Sequence, residues 1–140
     1  MSRIFWDSNL FIYLLEDHPE FSQAVADLRR RMLERGDQLF TSTLTLGEIL
    51  VKPLSIGDRA LCQLYENTLG NTALLLPFDL KAAHRYAAIR SNRSVKPLDA
   101  MQLACASQAG VDLFITNDQR LHGKQVEGIQ FIVALDQVPI

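Results

Sequence analysis

Asp7 directly follows the apolar triplet Ile4-Phe5-Trp6, and Glu48 lies in a helical stretch after Leu39-Phe40. Asp99 opens a nearly all-apolar helix, and Asp118 follows the apolar run Leu113-Phe114-Ile115-Thr116. If the four carboxylates converge, any pair 4 Å apart repels by about 4 kcal/mol at an effective dielectric near 20. No basic residue adjoins these positions to relieve that repulsion, whereas a divalent cation would. All-oxygen ligation with few carboxylates and retained waters suits Mg²⁺, with Mn²⁺ as the second candidate. His18, His84 and His122 are scattered, offer no helical zinc pair and read as surface residues.

Each acid also has an ordinary structural role open to it. Asp7-Ser8-Asn9 can cap a helix, and Thr45-Leu46-Gly47-Glu48 ahead of Ile49-Leu50-Val51 matches a capping box. Asp99 in a first helical turn complements the helix dipole, and Asn117-Asp118 can form an Asx turn or cap. Taken one at a time, these roles are at least as good as a functional one. Asp79, in Pro77-Phe78-Asp79, is an internal control, because it also follows a strand and a cap explains it fully. The four together are harder to dismiss.

The positions depend on the elements around them. Strand signals fall at Ile4-Phe5-Trp6, Leu39-Phe40, Ala73 to Leu76, Leu113 to Thr116 and Ile129 to Val133. Between them, apolar spacing predicts helices from Leu10 to Leu15, from about Glu20 to Arg35 ending at Gly36, and from Thr43 to Val51 stopped by Pro53. Further helices are predicted from Asp58 to Leu69 ended by Gly70, from Asp79 to about Arg90, and from Pro97 to Ala109 ended by Gly110. Strands alternating with helices of this length require crossovers, hence a parallel sheet between two helical layers. In such three-layer α/β/α sheets, ligands bind beyond the carboxyl ends of the strands, the edge on which the four acids fall.

Composition fits this picture. With 140 residues, 48% hydrophobic and 21% charged, the chain reads as one globular domain over residues 1–140. Area scaling gives a folded surface of roughly 7,300 Å², enough burial for a real core. No apolar run approaches the ~20 residues of a membrane helix, and Cys62 and Cys105 form no metal or redox spacing, so a reducing cytoplasmic setting is expected. Net charge is −2, but setting four of the 16 acids aside leaves 12 against 14 bases, a remaining surface of +2. Arg29-Arg30-Arg31 with Arg35, and Arg85, Arg90, Arg93 with Lys96, are the basic candidates. Lys96, three residues before Asp99, is the best placed of them.

Asp7-Ser8-Asn9 after the first strand, Thr45-x-x-Glu48 on a helix, Leu98-Asp99-Ala100 opening an apolar helix and Thr116-Asn117-Asp118 after a strand resemble the motifs of the PIN-domain ribonucleases. The similarity runs over nearly the whole chain and is particularly to the VapC toxins of bacterial and archaeal toxin-antitoxin pairs. It implies a central parallel sheet of about five strands and Mg²⁺-dependent endonucleolytic cleavage of RNA. It further implies that Asp7, Glu48, Asp99 and Asp118 are the catalytic, metal-binding acids, with Asn9 and Thr116 orienting ligands, water or phosphate. A small antitoxin partner and a homodimer are also implied. For the latter, Leu61, Leu64 and Tyr65 offer an apolar stripe, though ordinary core is its commoner use.

Other three-layer enzymes fit less well. A phosphatase of the haloacid dehalogenase type needs a second Asp two residues after the first, where this chain has Asn9. The alternative from another class is a PIN-like module that has lost catalysis and only binds RNA or protein. Retention of all four acids argues against it.

Overall fold

The computed structural model describes all 140 residues. Five strands, β1 (Arg3–Trp6), β2 (Gln38–Ser42), β3 (Leu74–Leu76), β4 (Val111–Ile115) and β5 (Ile129–Val133), form one parallel sheet in the order β3-β2-β1-β4-β5. Helices α1 (Ser8–Leu15) and α2 (Ser22–Arg35) connect β1 to β2, and α3 (Thr43–Ser55) and α4 (Arg59–Thr72) connect β2 to β3. The chain then crosses back through α5 (Leu80–Arg90) and α6 (Pro97–Ala109) to lay β4 on the other side of β1. The expected α/β architecture and five-stranded parallel sheet are both present.

Strand sequences here are apolar at successive positions because both faces of the sheet are covered. Ile4, Trp6, Leu39, Leu113 and Ile115 point into one core, shared with Leu10, Val25, Leu28 and Leu69 of the first four helices. Phe5, Phe40 and Phe114 point into the other, against Ala82 of α5 and Leu103 of α6. The alternation is the period of two intrinsic to a strand. Phe5 and Phe114, neighbours on β1 and β4, stack with centroids 5.0 Å apart. The exposed surface is 7759 Å², close to the scaling expectation for one compact domain.

Several expectations are corrected. Pro53 does not stop α3; it sits buried in the last turn. The turn still closes after it, the carbonyls of Lys52, Pro53 and Leu54 accepting from the amides of Ile56, Asp58 and Gly57. Gly70 does not end α4, which continues to Thr72 with buried Leu69 anchoring that turn. Thr45 and Glu48 form no capping box, since α3 begins earlier, after Ser42, and Thr45 is fully buried within it. Gly36, Gly110 and Asp79 behave as expected, Asp79 accepting a 2.9 Å bond from the Ala82 amide. Of the α4 stripe, Tyr65 packs on the core while Leu64 is 57% exposed. His18 lies against Tyr13 and Phe21 rather than on open surface. No helix is long and apolar enough to cross a membrane.

Two glycines separate backbone need from helix punctuation. Gly128, before β5, has φ +89°, and a Cβ there would lie 2.3 Å from the Ser107 carbonyl oxygen of α6. Gly128→Ala is therefore expected to cost at least about 2 kcal/mol and lower Tm by several degrees. Gly70, in helical backbone with open space around it, should gain roughly 0.5–1 kcal/mol as Gly70→Ala. Paired thermal melts check both, and a Gly70→Ala that melts lower would mean the helix does stop at that glycine.

Candidate active site

The topological switch point lies between β1 and β4, because the chain leaves β1 toward β2 and returns on the other side. The Asp7 amide donates to the Ile115 carbonyl at 3.0 Å and the Thr116 amide to the Val133 carbonyl at 3.1 Å, so the ends of β1, β4 and β5 are locked in register. Asp7 caps α1, its Oδ1 accepting from the Ser8 amide at 2.8 Å. Its Oδ2 accepts from the Thr116 hydroxyl at 2.7 Å. That hydroxyl, fully buried, in turn accepts from the Asp118 amide at 3.0 Å and from Asn9 Nδ2 at 3.4 Å. One threonine thus ties Asp7, Asn9 and Asp118 together.

Glu48 reaches the same place from α3, where its Oε2 accepts from Ser8 Oγ at 2.6 Å. The start of α3 is held by a buried polar network. Thr41 and Thr45 hydroxyls bond at 2.8 Å, Gln102 Nε2 donates to Thr45 Oγ1 at 2.8 Å, and Ser42 Oγ donates to Gln102 Oε1. Because Gln102 lies one turn along α6 from Asp99, this network also couples α3 to the helix carrying the third acid. Asp99 sits in the first turn of α6, after Lys96 and Pro97. Arg120 closes the circuit: its Nε lies 2.9 Å from Asp118 Oδ1, its Nη2 meets Asp118 Oδ2, and the same Nη2 is 3.6 Å from Asp99 Oδ2.

Burial and mutual charge set the protonation of these acids. Burial pushes the Asp7 carboxyl up from 3.8 to about 6, against the pull of the Thr116 and Ser8 bonds and with further push from Asp99 and Glu48. Asp99 is also raised, first by burial and then by Asp118, while Arg120 and Lys96 pull it back. Asp118 is lowered, chiefly by the Arg120 hydrogen bonds. The four acids therefore feel one another, and the donor set is the hard-oxygen kind that suits a divalent ion. Asn9 Oδ1 is buried without a partner beside them, one more oxygen free to meet an ion or its water. No three acid, histidine or cysteine side chains are gathered closely enough to cage an ion. An ion that keeps several of its waters, as Mg²⁺ does, asks for fewer direct ligands.

A PIN domain family model matches residues 4–126. The chain belongs to the PIN domain family. Among solved structures, it resembles VapBC2 from Rickettsia felis bound to a DNA fragment from its promoter, with TM-score 0.75 and 12% identity over 94% of this chain and 98% of that one. DNA-bound VapBC from Salmonella typhimurium aligns with TM-score 0.72 and 22% identity over 96% and 99% of the two chains. A toxin-antitoxin complex from Klebsiella pneumoniae aligns with TM-score 0.66 and 20% identity over 93% and 99%. A comparison with curated proteins finds no match.

Within this PIN domain, the structure brings Asp7, Glu48, Asp99, Asp118, Asn9 and Thr116 into one hydrogen-bonded and electrostatic group. Lys96 is exposed and acts on Asp99 through space. The absence of nearby basic charge is a misreading: Arg120, two residues after Asp118, folds straight back onto it. Ser8 was visible inside the first motif, but only the fold shows that it carries Glu48. His122 is half-buried, its Nε2 2.7 Å from the Thr116 carbonyl oxygen. The triple arginine is otherwise engaged. Arg29 reaches the Thr72 carbonyl, Arg30 pairs with Asp27 and Glu34, and Arg31 holds the Ile140 carbonyl.

A carboxyl whose folded pKa is above its unfolded value binds more protons folded than unfolded between the two. For Asp7, stability is therefore lost as pH rises from about 4 through about 6, by about 3 kcal/mol. Asp7→Asn should consequently stabilise the protein in EDTA at pH 7.5, with the gain vanishing near pH 4. Asp118→Asn should destabilise it at pH 7.5, since the folded pKa of Asp118 is depressed. Urea unfolding at both pH values checks this, and a destabilised Asp7→Asn at pH 7.5 would contradict the electrostatic assignment.

Proposed function

We propose that this PIN domain is a divalent-metal-dependent endoribonuclease, acting as the toxin of a toxin-antitoxin pair. The observation that carries the proposal is the linked acid group at the switch point: Glu48 to Ser8, Asp7 to Thr116 to Asp118, and Asp118 to Asp99 through Arg120. Caps alone do not require Glu48, which caps nothing, to meet Ser8. Asp7 and Asp99 are the proposed direct metal ligands, with Glu48 and Asp118 acting through water or a second ion. A bound Mg²⁺ or Mn²⁺ supplies a water of lowered pKa and neutralises charge on the phosphate oxygens.

The residues of the chain have separate tasks in this proposal. Thr116, fully buried, orients Asp7 rather than touching substrate, and Ser8 does the same for Glu48. Asn9 offers its free oxygen to water. Lys96, exposed at the start of α6, is the proposed RNA phosphate contact. A groove of about 600 Å³ is lined by Tyr13, Phe21, Asn117, Gln119, His122 and Asp136, and Asn117 and Gln119 flank Asp118 in the chain. It mixes aromatic and amide groups of the kind that receive unpaired bases.

Partner recognition is proposed by analogy, since the similar solved structures are toxin-antitoxin complexes. An acidic pocket favours an antitoxin segment bearing Arg or Lys. The second reading, a PIN module that only binds, is favoured by the pairing of Asp118 with Arg120 and by the lack of a gathered cage.

Cleavage decides between the two. The purified protein should cut single-stranded or loop RNA in Mg²⁺ or Mn²⁺, stop in EDTA, and lose at least about a hundredfold in rate as Asp99→Asn, near 2.7 kcal/mol in the barrier. Cleavage that survives EDTA, or a fully active Asp99→Asn, would reject the metal-dependent mechanism. Absence of cleavage with intact RNA binding would favour the binding module.

A further inference from the structure

Arg120 differs from the other arginines of this chain in what holds it. Arg31 is fixed by the carbonyl of Ile140, Arg35 by buried Asp37, and Arg90 by the carbonyl of Val95. The Arg120 side chain, 53% exposed, contacts only the acids of the site. Both carboxylate oxygens of Asp118 are engaged by this one residue. Oδ1 accepts from the Arg120 amide at 3.0 Å and from its Nε at 2.9 Å, and Oδ2 accepts from Nη2. A two-point fork of this kind occupies the carboxylate plane that an ion would enter.

We propose that Arg120 is a resident counter-cation: it closes Asp118 to divalent ions, and an ion gains that ligand only by displacing the guanidinium. The proposal rests on the metal-centre reading above and adds its regulation. Two further features support it. The guanidinium reaches toward Asp99 as well, so it bridges two carboxylates as an ion would. It is also carried on a single-turn 3₁₀ helix, Gln119–Leu121, with solvent to swing into. Asp7 and Glu48 are held by hydroxyl and amide donors, with no cation paired to either. The site is therefore divided into a half at Asp7 and Glu48, held by neutral donors and paired with no cation, and a half at Asp118 that the chain's own guanidinium occupies.

Mn²⁺ binding to the full chain, followed by calorimetry or by the EPR signal of free ion, tests this without reference to activity. Arg120→Ala should tighten Mn²⁺ by roughly threefold to fivefold, the scale of one exposed pair. Arg120→Lys keeps the charge but loses the fork, so it should also bind more tightly than wild type. Asp118→Asn should cost more affinity in the Arg120→Ala background than in wild type, because only there is Asp118 free to ligate. Lys96→Ala, which removes a nearby charge that forks no carboxylate, should change affinity less than Arg120→Ala.

An Arg120→Ala that binds Mn²⁺ no more tightly overturns the proposal while leaving the metal centre standing. A Lys96→Ala that matches it, with Arg120→Lys like wild type, also overturns it, since only the general field would then matter. If neither wild type nor Arg120→Ala binds Mn²⁺, the metal-centre reading fails and the competition falls with it.

Discussion

Carboxylates repel one another, and a fold that gathers four of them at one sheet edge must either supply counter-charge or take it from solution. In this PIN domain the first acid is buried so deeply that its proton is held to about pH 6. The last is held ionised by an arginine two residues away. The rest of the structure can be understood from that tension. The strands and helices are stable for the usual reason, two apolar cores on either side of a covered sheet. The polar edge is the part that gains nothing from burial and needs its own support.

That support is a set of neutral donors placed with little freedom. A buried hydroxyl at Thr116 joins the end of β4 to Asp7 and to the Asp118 amide, and Ser8 joins α1 to Glu48. Behind them, Gln102 with Thr41, Ser42 and Thr45 pins α6 to the start of α3. Hydroxyls and amides hold acids in place without cancelling their charge, so the field at the sheet edge is preserved. Arg120 is the exception, and it sits on the solvent side where it is free to leave.

Much of this was legible in the sequence because the relevant signals are local. Apolar triplets followed by Asp or Asn mark strand ends, Pro97 and Gly110 bracket α6, and Asp79 is a cap in fact as well as in pattern. The failures share one physical cause, which is that tertiary packing overrides local preference. Pro53 and Gly70 sit in final helical turns held by buried neighbours, so neither breaks its helix. The capping-box pattern at Thr45 is real as spacing, but Thr45 is taken by Thr41 and Gln102 instead. The partner of Glu48 lies 40 residues away at Ser8, beyond the reach of any spacing rule. Arg120 was close in sequence, yet only the turn at Gln119–Leu121 shows that it points back to Asp118.

The central claim is that Asp7, Glu48, Asp99 and Asp118 serve one divalent ion site rather than four independent helix ends. Crystals of the full chain soaked in Mn²⁺ and measured for its anomalous scattering test this most directly. The account predicts one or two manganese peaks at the carboxyl edge between β1 and β4, within coordination distance of Asp7 and Asp99. A fully soaked crystal with manganese bound elsewhere, or with no peak among these acids while Arg120 remains on Asp118, would contradict it.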